Sequence, residues 1–332
     1  MRLNPVNFRS NGFRMTVLLA FLLAAPLFIS PFQLHVMIMM CINIMMAVSM
    51  WLLSTTGLVS FGQAGFMFIG AMTSTLLVKN LGWLFWLCIP LAGMVPALVC
   101  VPIGRLCIRV KGVYFFIVTL AFGFVVNGVF AYFRNPFGGW YGILHIPSPE
   151  PHHLFTPLNK TPFYYLALVL TLISCWVIHR ISSSRMGMTF WSIEKSDLLA
   201  ASIGINVVKY KLQAFVISAF FAGIAGTYYA HYFSYISPLV FSFNMSFYTL
   251  IYIIVGGSLT FFGPIVGAAV LTLIPEFFRA TGIYQMLIFG VILVLSMLFM
   301  PRGIMGLVEE RVLPLLRRRW GKQKEPQIAP EN

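Results

Sequence analysis

Charge is what this chain has least of. Of its 332 residues, 8 are acidic and 22 basic, 9% in all, while 59% are hydrophobic and the mean hydropathy is +0.89. A water-soluble domain carries about a quarter charged residues. Two stretches, Met15–Val78 and Leu212–Pro275, run for 64 residues each without a single Asp, Glu, Lys or Arg. Each is long enough for three membrane spans at about 20 residues apiece. Such a composition cannot cover a soluble surface, so the chain reads as an integral membrane protein.

Other absences exclude chemistry. The five cysteines, Cys41, Cys88, Cys100, Cys107 and Cys175, are scattered with no CxxC pair, which argues against a disulfide framework or a zinc site. Of six histidines only His152 and His153 are adjacent, and none has metal-ligand spacing. No Gly-x-x-x-x-Gly-Lys-Ser/Thr loop occurs, so the chain cannot cradle ATP phosphates in that manner and needs no cofactor of its own. Glu276 is the one acidic residue inside an apolar run, and Arg279 follows at pairing distance on a helix. An ion-coupled carrier usually needs buried carboxylates, and a membrane-embedded enzyme needs converging acid, base or metal groups. Neither pattern is visible, so no enzymatic activity is expected. The net charge of +14 sits in small clusters between apolar runs, where membrane topology explains it better than nucleic-acid binding does.

What is present is a succession of apolar runs broken at Gly, Pro and charge clusters. They predict an all-α, polytopic membrane protein with about ten transmembrane helices, near 15–30, 34–56, 64–78, 83–103, 113–133, 163–179, 210–230, 239–257, 264–278 and 284–300. Basic residues are retained on the cytoplasmic side. With the N-terminus inside, the inner segments hold eighteen Lys and Arg and the outer segments four, which places both termini in the cytoplasm. Residues 1–14 then form a basic cytoplasmic segment, 15–306 the membrane domain, and 307–332, with Arg317-Arg318-Arg319, a basic tail expected to be disordered beside anionic lipid. A proline follows Ala24-Ala25, a poor cleavage site, so the first span is expected to be uncleaved.

Three segments interrupt the apolar pattern. Residues 180 to 211 are a charged island with Arg180, Arg185, Glu194, Lys195, Asp197, Lys209 and Lys211. There Ser196 can cap a short helix from Asp197 to Ile203, Asp197 suits the positive end of its dipole, and Gly204 can close it in a left-handed conformation. Phe190, Trp191 and Ile193 just before it are candidates for a cleft on another protein; an interfacial helix on lipid is the other reading. Two inner turns, Gly57 to Gln63 and Ser258 to Pro264, share Phe-Gly followed by Gly-Ala, a weak hint of an internal repeat. Such turns either line a transporter's pathway or let helices pack closely. The outer loop from Arg134 to Thr161, rich in Gly and Pro, reads as an ordered cap or docking surface.

The chain also resembles the permease subunits of ATP-binding-cassette importers for branched-chain amino acids, of the LivM type. The blocks that carry the likeness are Gly57-Leu58-Val59-Ser60-Phe61-Gly62-Gln63-Ala64, Gly104-Arg105 through Gly112-Val113-Tyr114, Gly138-Gly139 with Ile146-Pro147, Ser184 to Asn206, Lys211-Leu212-Gln213-Ala214-Phe215, Gly256-Gly257, Gly263-Pro264 and Pro301-Arg302-Gly303. The resemblance implies that the island is a coupling segment, about 184–206, seated in a groove of a cytoplasmic ATPase. Its residues would be Arg185, Gly187, Glu194, Lys195, Asp197, Ala200, Ala201, Gly204, Ile205 and Asn206, of which Asp197, Ala200, Ala201, Gly204, Ile205 and Asn206 would form the docking helix. The translocation path would involve Asn43, Gly57, Ser60, Gly62, Gln63, Asn127, Gly256, Gly257 and Gly263. Asn43, Gln63 and Asn127 are the polar groups that could hold the ends of a zwitterion, with helix packing as their other reading. Implied partners are a sister permease in a heterodimer, two ATPase subunits that use ATP, an external solute-binding protein and the lipid of a bacterial inner membrane. Leucine, isoleucine and valine are the implied solutes; urea, short amides or another small organic solute remain open, as does an ion-coupled carrier. The chain departs from the family pattern at Gln63, Val113, Phe124 and the Glu194-Lys195 pair, where the family usually has His, Asp, Glu and Arg-Glu.

Overall fold

The computed structural model describes residues 29–307, apart from 111, 151–154, 156–158, 280, 281, 283 and 301, together with residues 23 and 26. The basic segment 1–14, the first expected span and the tail 307–332 therefore lie essentially outside the described residues. The helices are α1 (Pro31–Ser54), α2 (Gln63–Leu81), α3 (Phe85–Cys107), α4 (Val113–Tyr132), α5 (Thr161–Ser182), α6 (Arg185–Lys195), α7 (Asp197–Ser202), α8 (Val207–Phe233), α9 (Phe243–Gly256), α10 (Phe262–Phe277), α11 (Tyr284–Phe299) and α12 (Gly303–Leu307). Strands β1 (Ile143–Leu144) and β2 (Tyr235–Ile236) add one short antiparallel ladder, pairing Ile143 with Ile236.

Helix limits follow the local chemistry. Ser30 opens α1 with a capping box: its hydroxyl accepts from the Gln33 amide, and the Gln33 side chain accepts from the Ser30 amide. Gly82, at φ 64°, closes α2 in the left-handed region. Among the described residues, α1 to α5 and α8 are long and apolar enough to cross a membrane. α9, α10 and α11 have 14, 16 and 16 residues. At about 1.5 Å per residue they reach roughly 21–24 Å, short of a hydrocarbon core of about 30 Å.

α8 occupies the centre, packed along α2 and α3 and against α1. In lipid there is no apolar driving force between helices, so close backbone approach through small residues has to supply the contact. Gly70 of α2 lies against Gly223 of α8, and a side chain on Gly226 would strike the Met67 carbonyl. α1 is buried on all sides in its second half: from Met45 to Leu53 no residue is more than 1% exposed. α4 is the opposite case, the least buried of the six long helices, turning Val113, Tyr114, Ile117, Phe124, Val125 and Val129 outward.

Successive connections gather at two opposite ends, as alternating spans require. At one, the island end, one cleft is lined by Thr56 and Gly57 (α1–α2), Ile108 and Gly112 (α3–α4) and Glu194 of the island. There too Trp51 Nε1 donates to the Ser258 carbonyl at 2.8 Å and its ring meets Trp191 edge-on. At the far end Lys79 donates to the Leu144 carbonyl, Trp86 to that of Glu150, and His231 Nδ1 lies 2.7 Å from the Pro147 carbonyl oxygen. The outer loop is thus ordered over its described residues, with a 3-10 turn at Gly139–Tyr141 and the β1–β2 ladder.

Candidate functional site

The island folds into two helices across one end of the bundle. Ser184 caps α6, its hydroxyl accepting from the Met186 amide, and Ser196 caps α7, accepting from the Leu199 amide. Gly204, at φ +84°, closes α7: its amide donates to the Ala201 carbonyl and that of Ile205 to Ala200. The helix expected from Asp197 is present but ends at Ser202. Asn206 does not belong to it: its Oδ1 accepts from the Lys209 amide and so starts α8 instead.

Which side chains face out differs from the sequence reading. Phe190, Trp191 and Ile193, offered above as bait for another protein, turn inward. Phe190 and Ile193 are buried, and Trp191 packs on Trp51. The cause is a stripe at three-residue spacing, Gly187, Phe190 and Ile193, which seats α6 on the bundle. That spacing was legible in the sequence. The most exposed apolar residues of the island are those of α7 and its exit, Leu198 at 79%, Leu199 at 70% and Ile203 at 74% exposure, ahead of Met188 on α6, while Ala200 at 2% faces the bundle. Arg185, Ala201 and Gly204 are exposed.

Charges are arranged around the same helix. Asp197 Oδ2 lies 2.7 Å from Lys211 Nζ, with Lys211 buried and Asp197 half-buried. Glu194 Oε2 is 3.1 Å from Lys195 Nζ but off the hydrogen-bonding direction, and that oxygen is buried. Beneath α7 opens a cleft of about 610 Å³ whose lining includes Gly57, Val110, Glu194, Asp197, Val208 and Lys211.

Both glycine turns open from the island end, where Gly57 lies against Glu194, but the first runs inward, so that Phe61 to Ala64 sit within the bundle. In the first, the Phe61 amide donates to Thr119 Oγ1 of α4, the Ala64 amide to Ser246 Oγ of α9, and Ser60 Oγ accepts from the Gly62 amide. Gln63 is fully buried, with Nε2 donating to Ser49 Oγ at 2.8 Å and Ser218 Oγ at 3.1 Å. It ties α2 to α1 and α8. In the second turn, Gly256, Gly263 and Gly267 bring α9 and α10 to backbone contact, and Gly257, at φ +106°, meets the Arg302 carbonyl and Gly303. Asn43 donates to Thr272 Oγ1 and lines a crevice of about 420 Å³ with Tyr248, Tyr252 and Gln285. Asn127 donates to the Phe241 carbonyl, leaving its buried Oδ1 without a partner among the described residues. Asn43, Gln63 and Asn127 therefore do not share one pocket: each is held in a different inter-helix contact.

The apolar helices and the capped helix beginning at Asp197 match what the apolar runs and Ser196 predicted, although six of the described helices, against about ten expected spans, are long and apolar enough to cross a membrane. A family model described as "branched-chain amino acid transport system / permease component" matches residues 33–297. The chain belongs to this permease family. It is 31% identical to the high-affinity branched-chain amino acid transport system permease protein LivM of Salmonella typhimurium, over 94% of this chain and 78% of that one. It is 32% identical to the protein of the same name from Escherichia coli, over 77% of this chain and 66% of that one. No solved structure matches. The permease is thus a multi-pass membrane protein. Its departures from the family pattern fall in distinct settings: Gln63 is a buried tether, Val113 and Phe124 are exposed on α4, and Glu194–Lys195 edges the cleft under α7.

Proposed function

We propose that this permease is the inner-membrane subunit of an ATP-binding-cassette importer, carrying leucine, isoleucine and valine delivered by an external binding protein. Two separate ATPase subunits drive it, one on the island and one on the island of a sister permease that completes the pore. The observation that carries this reading is the geometry of α7. Leucines at 70–79% exposure stand off a helix whose other face is bolted to the bundle, at the end where three connections converge. Exposed leucines on a capped turn suit an apolar groove of a soluble partner.

In this reading the island end is cytoplasmic, supported by the eighteen-to-four distribution of basic residues, and ten spans put both termini there. The path runs along the outward face of α4, beside Ser60, Gly62 and Asn127, where the sister subunit covers apolar surface that one chain leaves open. Gly57, Gly256, Gly257 and Gly263 let the turns at the cytoplasmic end shift as ATPase closure pushes on α7. The cargo assignment is supported by the relatives' names and by walls without net charge, which suit a net-neutral apolar amino acid.

The test is the double substitution Leu198→Asp with Leu199→Asp. Both positions are on the surface, so insertion should be unaffected, while solute-stimulated ATP hydrolysis by the reconstituted assembly should be lost. Stimulation at the wild-type level would overturn the docking assignment.

A further inference from the structure

We infer that Lys211 is a positioning residue that fastens the docking helix to the central helix, so that displacement of α7 is delivered to α8 and to the first glycine turn. This rests on the reading of residues 184–206 as the segment that meets an ATPase.

α7 has six residues, too few to hold a helix in isolation. Its amide caps are local, and its one buried side chain, Ala200, offers little surface. The remaining tie is ionic: Asp197 Oδ2 to Lys211 Nζ at 2.7 Å, across 14 residues of sequence. The Lys211 side chain is only 10% exposed, against 31% for Asp197. A buried ammonium needs its counter-charge, so separating the two is costly and the pair moves as one.

Lys211 stands at the start of the helix that organises the bundle. Seven residues on, two turns along the same face, Ser218 exchanges hydrogen bonds with Gln63, and Gln63 reaches Ser49. Asp197, Lys211, Ser218, Gln63 and Ser49 thus lead from the docking helix through α8 to the point where α2 and α1 meet the glycine turn. Without the ion pair, a push on α7 would be spent in tilting a short helix.

The experiment uses the full assembly of permeases, ATPases and binding protein in liposomes with leucine. Lys211→Met should leave basal hydrolysis and ATPase association intact and lower solute-stimulated hydrolysis about tenfold, within the range of coupling between sites. Lys211→Arg should restore it. In the Lys211→Met background, Asp197→Asn should add no further loss, because the two act as a unit. Wild-type stimulation in Lys211→Met would overturn the clamp, as would loss of ATPase association in step with stimulation. If Lys211→Met does not insert, the doubly neutral Asp197→Asn/Lys211→Met variant decides, and full stimulation in it overturns the inference. Retained stimulation in the Leu198→Asp/Leu199→Asp variant would instead sink the docking reading, whatever Lys211 does.

Discussion

At the scale of single residues, glycine and the few polar side chains set how closely the helices meet. Gly226 is the clearest case, because a Cβ there would collide with the Met67 carbonyl, and backbone cannot yield as a flexible side-chain tip can. Gly226→Val should separate α8 from α2 and cost about 1–3 kcal/mol from overpacking. A lowered unfolding midpoint of the detergent-solubilised permease checks this, and an unchanged midpoint would refute the contact. Gln63 shows what sequence can and cannot say about one residue. Its polarity inside an apolar run marked it as either a solute contact or a packing tie. The structure gives it two serine partners on two other helices, a choice made by residues 14 and 155 positions away.

At the scale of elements, capping residues fixed the island's helices. Ser196 brackets α7 through its hydroxyl and Gly204 through its missing Cβ, and these limits were readable within a residue or two. Gly204→Val would place a branched side chain at φ +84°, a conformation costing about 1–2 kcal/mol for an L-residue. The last turn of α7 should then fray, and solute-stimulated ATP hydrolysis should fall while membrane insertion persists. Normal stimulation would show that the turn tolerates the strain. Orientation was the harder matter. Phe190, Trp191 and Ile193 look like recognition residues by type, yet they are the buried stripe of α6, whereas Leu198, Leu199 and Ile203 are the outward ones. Residue type reports hydrophobicity; only the bundle beneath decides which apolar face is already covered.

At the scale of the whole molecule, alternating connections at two ends turn topology into something measurable. A cysteine placed at Leu199, at the island end, and another at Trp140, at the far end, should label oppositely with a membrane-impermeant thiol reagent added from the periplasmic side. Trp140→Cys should react and Leu199→Cys should not. The reverse pattern would invert the proposed orientation. Background should be low, since Cys41, Cys88, Cys100 and Cys107 are buried and Cys175 is half-buried in the middle of the apolar helix α5. By itself the sequence determined that the chain lives in a membrane, where its helices break, and which segment is charged. Those follow from local quantities, the length of apolar runs and the dihedral freedom of glycine and proline. Tertiary structure decided that α8 is central, that Lys211 pairs with Asp197, and that Asn43, Gln63 and Asn127 stand apart. Such contacts join residues distant in sequence, and in a chain apolar on nearly every face, periodicity carries little information about which face meets which.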